Sequence, residues 1–289
     1  MIDMIISQAA NGLVLGFLYV LIAVGLSIIF GMLGIVNFAH GAFFAIGAYL
    51  ALTLTREFGW IAALAAPVLV GVIGILVELT LVRRLYDKEP LVSLIFTFAL
   101  ALLIEAILRL VFGGAPIPFS APKAFAGFVD YGPILITIYR LTVLVVTVIA
   151  LVAFWAFMAL TPYGRIIRAG SRDAEMVGLL GINLPAVLTG VFGLGCLLAG
   201  LAGMLAGPLW TINPSMSAGA IMPAFVIVTL GGLGSYVGAI VAGLMVGVVT
   251  SITVQFAPEW SSASMYILMA IVLLVRPRGL FGERWERFE

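Results

Sequence analysis

Long apolar runs broken by short charged intervals decide what this chain can fold into. Stretches 5–30, 91–112, 141–160 and 184–206 hold at most one opposed pair of charges. Each has the roughly 20 residues needed to cross a ~30 Å hydrocarbon core. With 9% charged residues, against about 25% in a soluble domain, the chain is expected to be an integral membrane protein. Backbone groups in lipid must be satisfied internally. The fold class expected is therefore all-α and polytopic, a single transmembrane domain over 1–289 with about 8–10 membrane helices, some short or broken. A net charge of +1 leaves no basic face for nucleic acid. Cys196 is the sole cysteine and no Cys/His cluster has metal-ligand spacing, so neither an intrachain disulfide nor a metal site is expected. The N-terminal segment lacks a basic region and a cleavage site, and reads as the start of a retained span.

The longest charged interruption is 161–185, which carries Arg165, Arg168, Arg172, Asp173 and Glu175. In a chain otherwise built for lipid, it must lie in water or against a soluble partner. Thr161-Pro162 closes the preceding span, because proline withholds an N–H and restricts the residue before it. Either Ser171 or Asp173 can cap the helix that follows, and Gly178 and Gly181 loosen the backbone before Asn183 and Pro185 open the next span. The order Asp173-Ala174-Glu175, two residues, Gly178 resembles, in degenerate form, the Glu-Ala-Ala, three residues, Gly signature of bacterial ABC importers, whose membrane subunits dock there onto their ATPases. That resemblance implies a cytoplasmic coupling helix in which Arg165, Arg168, Arg172, Asp173, Ala174, Glu175 and Gly178 meet the ATPase. The plainer alternative is a loop made basic by topology alone.

Polar residues inside the apolar runs mark the other candidates. Asn37 and the only histidine, His40, are three apart and would share one face of a continuous helix. At such depth they either line a substrate path or hydrogen-bond helix ends. The stretch 207–219 is uncharged and contains two prolines, and Pro223 is expected to interrupt the short apolar segment 220–230. A broken helix at membrane depth is tolerated where it lines a cavity, which makes Thr211 and Asn213 path candidates beside Ser215. Glu78, one turn inside a basic loop at 83–89, is expected to pair with Arg83 or a neighbour. Glu105 and Arg109, four apart, form an intrahelical pair that is structural or lines the mouth of a path. Trp60 fits an interfacial anchor, and Cys196 a small packing residue. The glycine-rich run 231–243 has no Lys-Ser/Thr and no strand before it, so it is a turn and not a phosphate loop.

Loops 83–89, 161–181 and 276–289 carry three, three and four basic residues, against one or none in 57–60, 207–219 and 257–264. The positive-inside rule puts the former, and the C-terminal tail 276–289, in the cytoplasm. Nine crossings would then place the N-terminus outside. The proline- and glycine-rich loop 113–140 reads as external.

The pattern GLxLGxxYxLIAxGLxxIFGxxxxxNFAHGxxxxxGAY, filled by residues 12–49, and the run 231–243 resemble the LivH-type permeases of branched-chain amino acid ABC importers. Permeases for urea and short amides share much of it, so the substrate stays open. The resemblance implies a non-catalytic permease in a bacterial or archaeal inner membrane. It would work with two ATPase subunits that bind the ATP, a paralogous second permease, and a periplasmic or extracellular substrate-binding protein facing loop 113–140. Residues agree that the engine is elsewhere: no Walker loop, catalytic carboxylate pair or nucleophile-base set is present. An ion-coupled carrier or channel is the competing class, but it would be expected to keep acids at mid-membrane, whereas Glu78 and Glu105 sit near span ends beside basic residues.

Overall fold

The first apolar run forms one uninterrupted helix, α1 (Ile2–Leu33), and most of the chain packs around it. The computed structural model describes residues 2–282 apart from 87 and 132–133. After α1 come α2 (His40–Phe58), a short α3 (Trp60–Ala63), α4 (Ala66–Thr80), a 3-10 turn at Val82–Leu85 and α5 (Pro90–Phe112). An antiparallel hairpin of β1 (Phe128–Tyr131) and β2 (Ile134–Thr137) leads into α6 (Ile138–Leu160). The second half holds α7 (Pro162–Gly170), α8 (Ala174–Leu179), α9 (Leu184–Ala206), α10 (Met216–Gly231), α11 (Tyr236–Phe256) and α12 (Ser261–Val275). Among the described residues, seven helices are long and apolar enough to cross a bilayer, counting α3 with α4. The 19-residue α2 and the 16-residue α10 run among them. The chain is a multi-pass, all-α membrane protein, with a short hairpin among the described residues of the proline- and glycine-rich loop.

Glycine decides how closely these helices approach. On α1, a Cβ added at Gly12 would lie 2.8 Å from the carbonyl oxygen of Gly247 on α11, and one at Gly25 2.7 Å from that of Gly195 on α9. Backbones touch directly there, the geometry that small residues permit in membranes, where dispersion replaces the hydrophobic drive. Gly12→Ala is expected to cost about 1–3 kcal/mol through overpacking and to lower the yield of monodisperse protein in detergent. Gly190→Ala, on the same count of atoms, meets nothing within 4 Å and should be neutral or better in a thermal-shift assay. If both variants melt like the parent, direct backbone contact is not what limits packing.

Several details differ from what periodicity suggests. Pro223 does not interrupt α10, which runs through it. The proline withholds one N–H, and the carbonyl left over belongs to Gly219 at the helix surface. The span at 60–82 is two pieces parted at 64–65, and Trp60 stacks on Phe119 of the loop after α5 at 4.9 Å between centroids. An isolated bridge, Ile117 with Ile212, ties that loop to the turn before α10. Segment 161–183 is two helices, not one. Cys196 is buried against Gly74, as a packing residue should be. At the other end of the bundle, Gly232 and Gly234 take positive φ in the turn between α10 and α11, and the chain after α12 closes on it through Leu280 N–H to the Leu230 carbonyl at 2.8 Å. Residues 283–289 of the tail lie outside the described set.

Candidate functional site

Two places carry chemistry that packing alone does not explain: the charged segment after α6, and the turn between α1 and α2. In the first, the Thr161 hydroxyl donates to the Phe157 carbonyl at 2.7 Å and accepts the Gly164 N–H at 3.1 Å, ending α6 and capping α7 with one side chain. Ile167 and Gly170 face inward, Gly170 against Met32 at the end of α1, and Arg168 donates to the Met158 carbonyl. Arg165 and Arg172 are exposed. Asp173 resolves the ambiguity over the cap, since its Oδ1 accepts the Met176 N–H at 2.8 Å and starts α8. Ala174 is half-buried and Glu175 projects outward in the first turn, where a negative charge suits the helix dipole. Gly178 has open space where a Cβ would stand.

The surprise in α8 is apolar. Only Val177 of this helix is buried, while Met176, Leu179 and Leu180 are 54%, 77% and 73% exposed. Three large side chains uncovered beside arginines and acids form a patch of the kind that marks a docking surface. Beside the end of α7, a cavity of about 520 Å³ opens between Phe30, Arg168, Arg172, Tyr236 and Phe281.

The second place lies deep. Asn37 and His40 do not share a continuous helix, because α1 ends at Leu33, Gly34 turns with φ 66°, and α2 starts at His40 itself. His40 Nε2 stands 3.1 Å from the carbonyl oxygen of Ile22, eleven residues before the end of α1 and about 16 Å along its axis. The linking turn therefore runs back along α1 before α2 begins. A carbonyl only accepts, so Nε2 carries the proton and Nδ1 is left as an acceptor with no partner. Asn37 is 1% exposed, and neither atom of its amide has a partner. The turn is otherwise well held: Phe38 N–H donates to Thr97 Oγ1 at 3.2 Å, and the Phe38 ring lies between Phe98 and Phe225. A rigid frame thus presents unsatisfied polar atoms.

Thr211 and Asn213 lie in the turn before α10, where Asn213 Nδ2 donates to the Thr211 carbonyl at 3.0 Å and Oδ1 accepts from Ser215 at 2.8 Å. The Asn213 amide is thus engaged in closing that turn.

Residues 8–273 match the family model described as branched-chain amino acid transport system, permease component. The chain belongs to that family. The LivH permease protein of the high-affinity branched-chain amino acid transport system of Escherichia coli K12 is 30% identical over 96% of this permease and 95% of its own length. BraD of Pseudomonas aeruginosa is 31% identical over 96% and 95%. The LivM permease protein of E. coli K12 is also similar, at 26% identity over 92% of this chain and 68% of its own. No solved structure is significantly similar.

Within this permease, the two ion pairs expected from spacing both form. Glu78 is buried and accepts from Arg83 Nε at 3.1 Å and from the Tyr86 hydroxyl at 2.6 Å, while Arg83 Nη2 also reaches Thr189 on α9. The hydrogen bond to Glu78 raises the Arg83 pKa above its ordinary value, and burial followed by the same carboxylate raises that of Tyr86. The network locks the loop before α5 to α9. Glu105 and Arg109 pair at 3.1 Å. Sequence reasoning missed the exposed side chains of Met176, Leu179 and Leu180, which an amphipathic reading of 174–180 could have found. It also missed Thr97, whose signal is only its place in an apolar run.

Proposed function

We propose that the chain is the permease subunit of an ATP-driven importer that carries branched-chain amino acids inward across a bacterial or archaeal cytoplasmic membrane. A paralogous permease would pair with it, two ATPase subunits would bind and hydrolyse the ATP, and a soluble binding protein would deliver substrate on the side of the 128–137 hairpin. The observation that carries this reading is α8, a capped helix in a charged segment with Met176, Leu179 and Leu180 uncovered. Such a helix is a seat for another polypeptide. The names of the relatives, LivH, BraD and LivM, support the substrate class and the paralogous partner.

On this reading the C-terminal tail and α7–α8 face the cytoplasm, and the ATPases push α8. Through Gly170 against Met32 and Arg168 on Met158, the push reaches the ends of α1 and α6 as a lever, which alternates access to the path. Asn37 and His40, with polar atoms unspent, would meet water or substrate as the path opens.

Reconstitution tests this. Vesicles holding the chain alone should accumulate no leucine, whereas vesicles holding it with its neighbouring permease, ATPases and binding protein should accumulate it only with ATP inside the ATPase-facing compartment. Uphill accumulation by the chain alone would establish an ion-coupled carrier instead. Transport of urea but not leucine by the full assembly would overturn the substrate class.

A further inference from the structure

The Glu105–Arg109 pair has the spacing of an ordinary helix-surface ion pair, but its setting is unusual. Glu105 lies seven residues before Phe112, the last residue of α5, about 10 Å inside that end of the span. A carboxylate at such depth needs a partner or water. Its pairing is incomplete. Arg109 donates through Nη2 to Glu105 Oε1 at 3.1 Å, its side chain is 58% exposed, and neither Nε nor Nη1 has a partner among the described residues. The other carboxylate oxygen, Oε2, takes the Ser217 hydroxyl of α10 at 3.4 Å, near the limit of a hydrogen bond.

A third group stands close by. Tyr49 of α2 packs its ring 4.5 Å from that of Phe112, within electrostatic reach of Arg109, and its buried hydroxyl has no partner. Three helices thus converge on one spot with an anionic group, a cationic group and two hydroxyls, none of them fully used. Around it the spacing of α5 and α10 adds Leu108, Phe112 and Ile221, all apolar.

We propose that Glu105 and Arg109, with Ser217, form the docking point for the head of a zwitterionic amino acid, Glu105 taking the ammonium and Arg109 the carboxylate. The inference rests on the reading of the chain as an amino acid permease and deepens it. A zwitterion has no net charge and neither does the pair, so exchanging their mutual contact for two contacts to substrate adds no net charge to the membrane. A single opened ion pair would be expensive there; two re-formed ones are not. Guanidinium and carboxylate also match planar fork geometry, which favours Arg over a point charge. Neutral amides would have no use for the pair, which makes it the element of this chain that selects the substrate class.

The test uses the complete transporter in vesicles, with leucine as the probe and leucine-loaded binding protein outside. Glu105→Gln and Arg109→Gln should each lower the leucine transported per ATP by about tenfold or more, the change produced by losing one charge-assisted contact. Recovery of the paired permease and the melting temperature of the complex should stay at the wild-type level. The exchange variant Glu105→Arg/Arg109→Glu keeps an ion pair and separates this role from a structural one. It should purify as a stable complex and still fail to transport, because ammonium and carboxylate would meet like charges. Recovery of transport in the exchange variant, or wild-type transport in both single variants, overturns the inference. So does loss of the second permease from the purified complex, which would make the pair a contact between permeases. A wild-type complex that carries no leucine overturns the parent reading itself, so the two failures are distinguishable.

Discussion

Aspartate at both Leu179 and Leu180 is expected to abolish ATP-driven leucine accumulation while the chain still folds and inserts. Both side chains are more than 70% exposed, so the isolated permease loses little. A docked ATPase would bury them, and each leucine fully buried is worth about 1.5–3 kcal/mol. Losing both and adding two charges should weaken ATPase association by about a hundredfold or more, read as loss of ATPase from the affinity-purified complex. Asp173→Asn provides the control. It keeps an oxygen to accept the Met176 N–H, so α8 stays capped and coupling should be normal. Asp173→Ala removes the cap at a cost of about 1 kcal/mol and should couple poorly. Glu175 is turned outward, and would be the acid left to meet a docked ATPase. ATPase that co-purifies undiminished with the Leu179/Leu180 variant would sink the docking assignment.

Asn37→Leu should separate stability from transport. Both amide atoms of Asn37 are buried without partners, and leaving such a group unsatisfied costs about 1–3 kcal/mol. A leucine of similar size removes that cost, so the variant should melt at or above the temperature of the parent. If the amide is kept for the path, leucine uptake should fall by about tenfold or more in the assembled transporter, a loss of one polar contact to the moving solute. His40→Phe gives a milder version, because His40 also holds the Ile22 carbonyl through Nε2. A melting temperature that drops sharply in Asn37→Leu would mean the amide is structurally satisfied. Normal uptake would remove Asn37 from the path.

These expectations show which features one-dimensional reasoning could reach. Spacing of four residues gave the Glu105–Arg109 pair, and a charge one turn inside a basic loop gave Glu78 with Arg83, because local helix geometry alone brings such groups together. The end of α6 at Thr161-Pro162 and the start of α9 at Asn183 were legible for the same reason: caps and prolines act over three or four residues. Grouping Asn37 and His40 with Thr211 and Asn213 rested on polarity alone. Polarity in an apolar run does not tell whether a side chain closes its own turn, as Asn213 does, or stands unspent, as Asn37 does. Pro223 misled likewise, since a missing N–H breaks a helix only where the freed carbonyl cannot be tolerated.

By itself, then, the order of residues determined that the chain lives in lipid and that it crosses many times as helices. Each follows from the free energy of moving apolar and charged groups between water and hydrocarbon, which is additive along a run and needs no knowledge of neighbours. Only the tertiary structure decided that the turn before α2 runs back along α1, that Ser217 of α10 meets Glu105 of α5, and that one face of α8 is left bare. Those depend on which helices pack together and how closely glycine lets them approach, a long-range choice set by contact and shape.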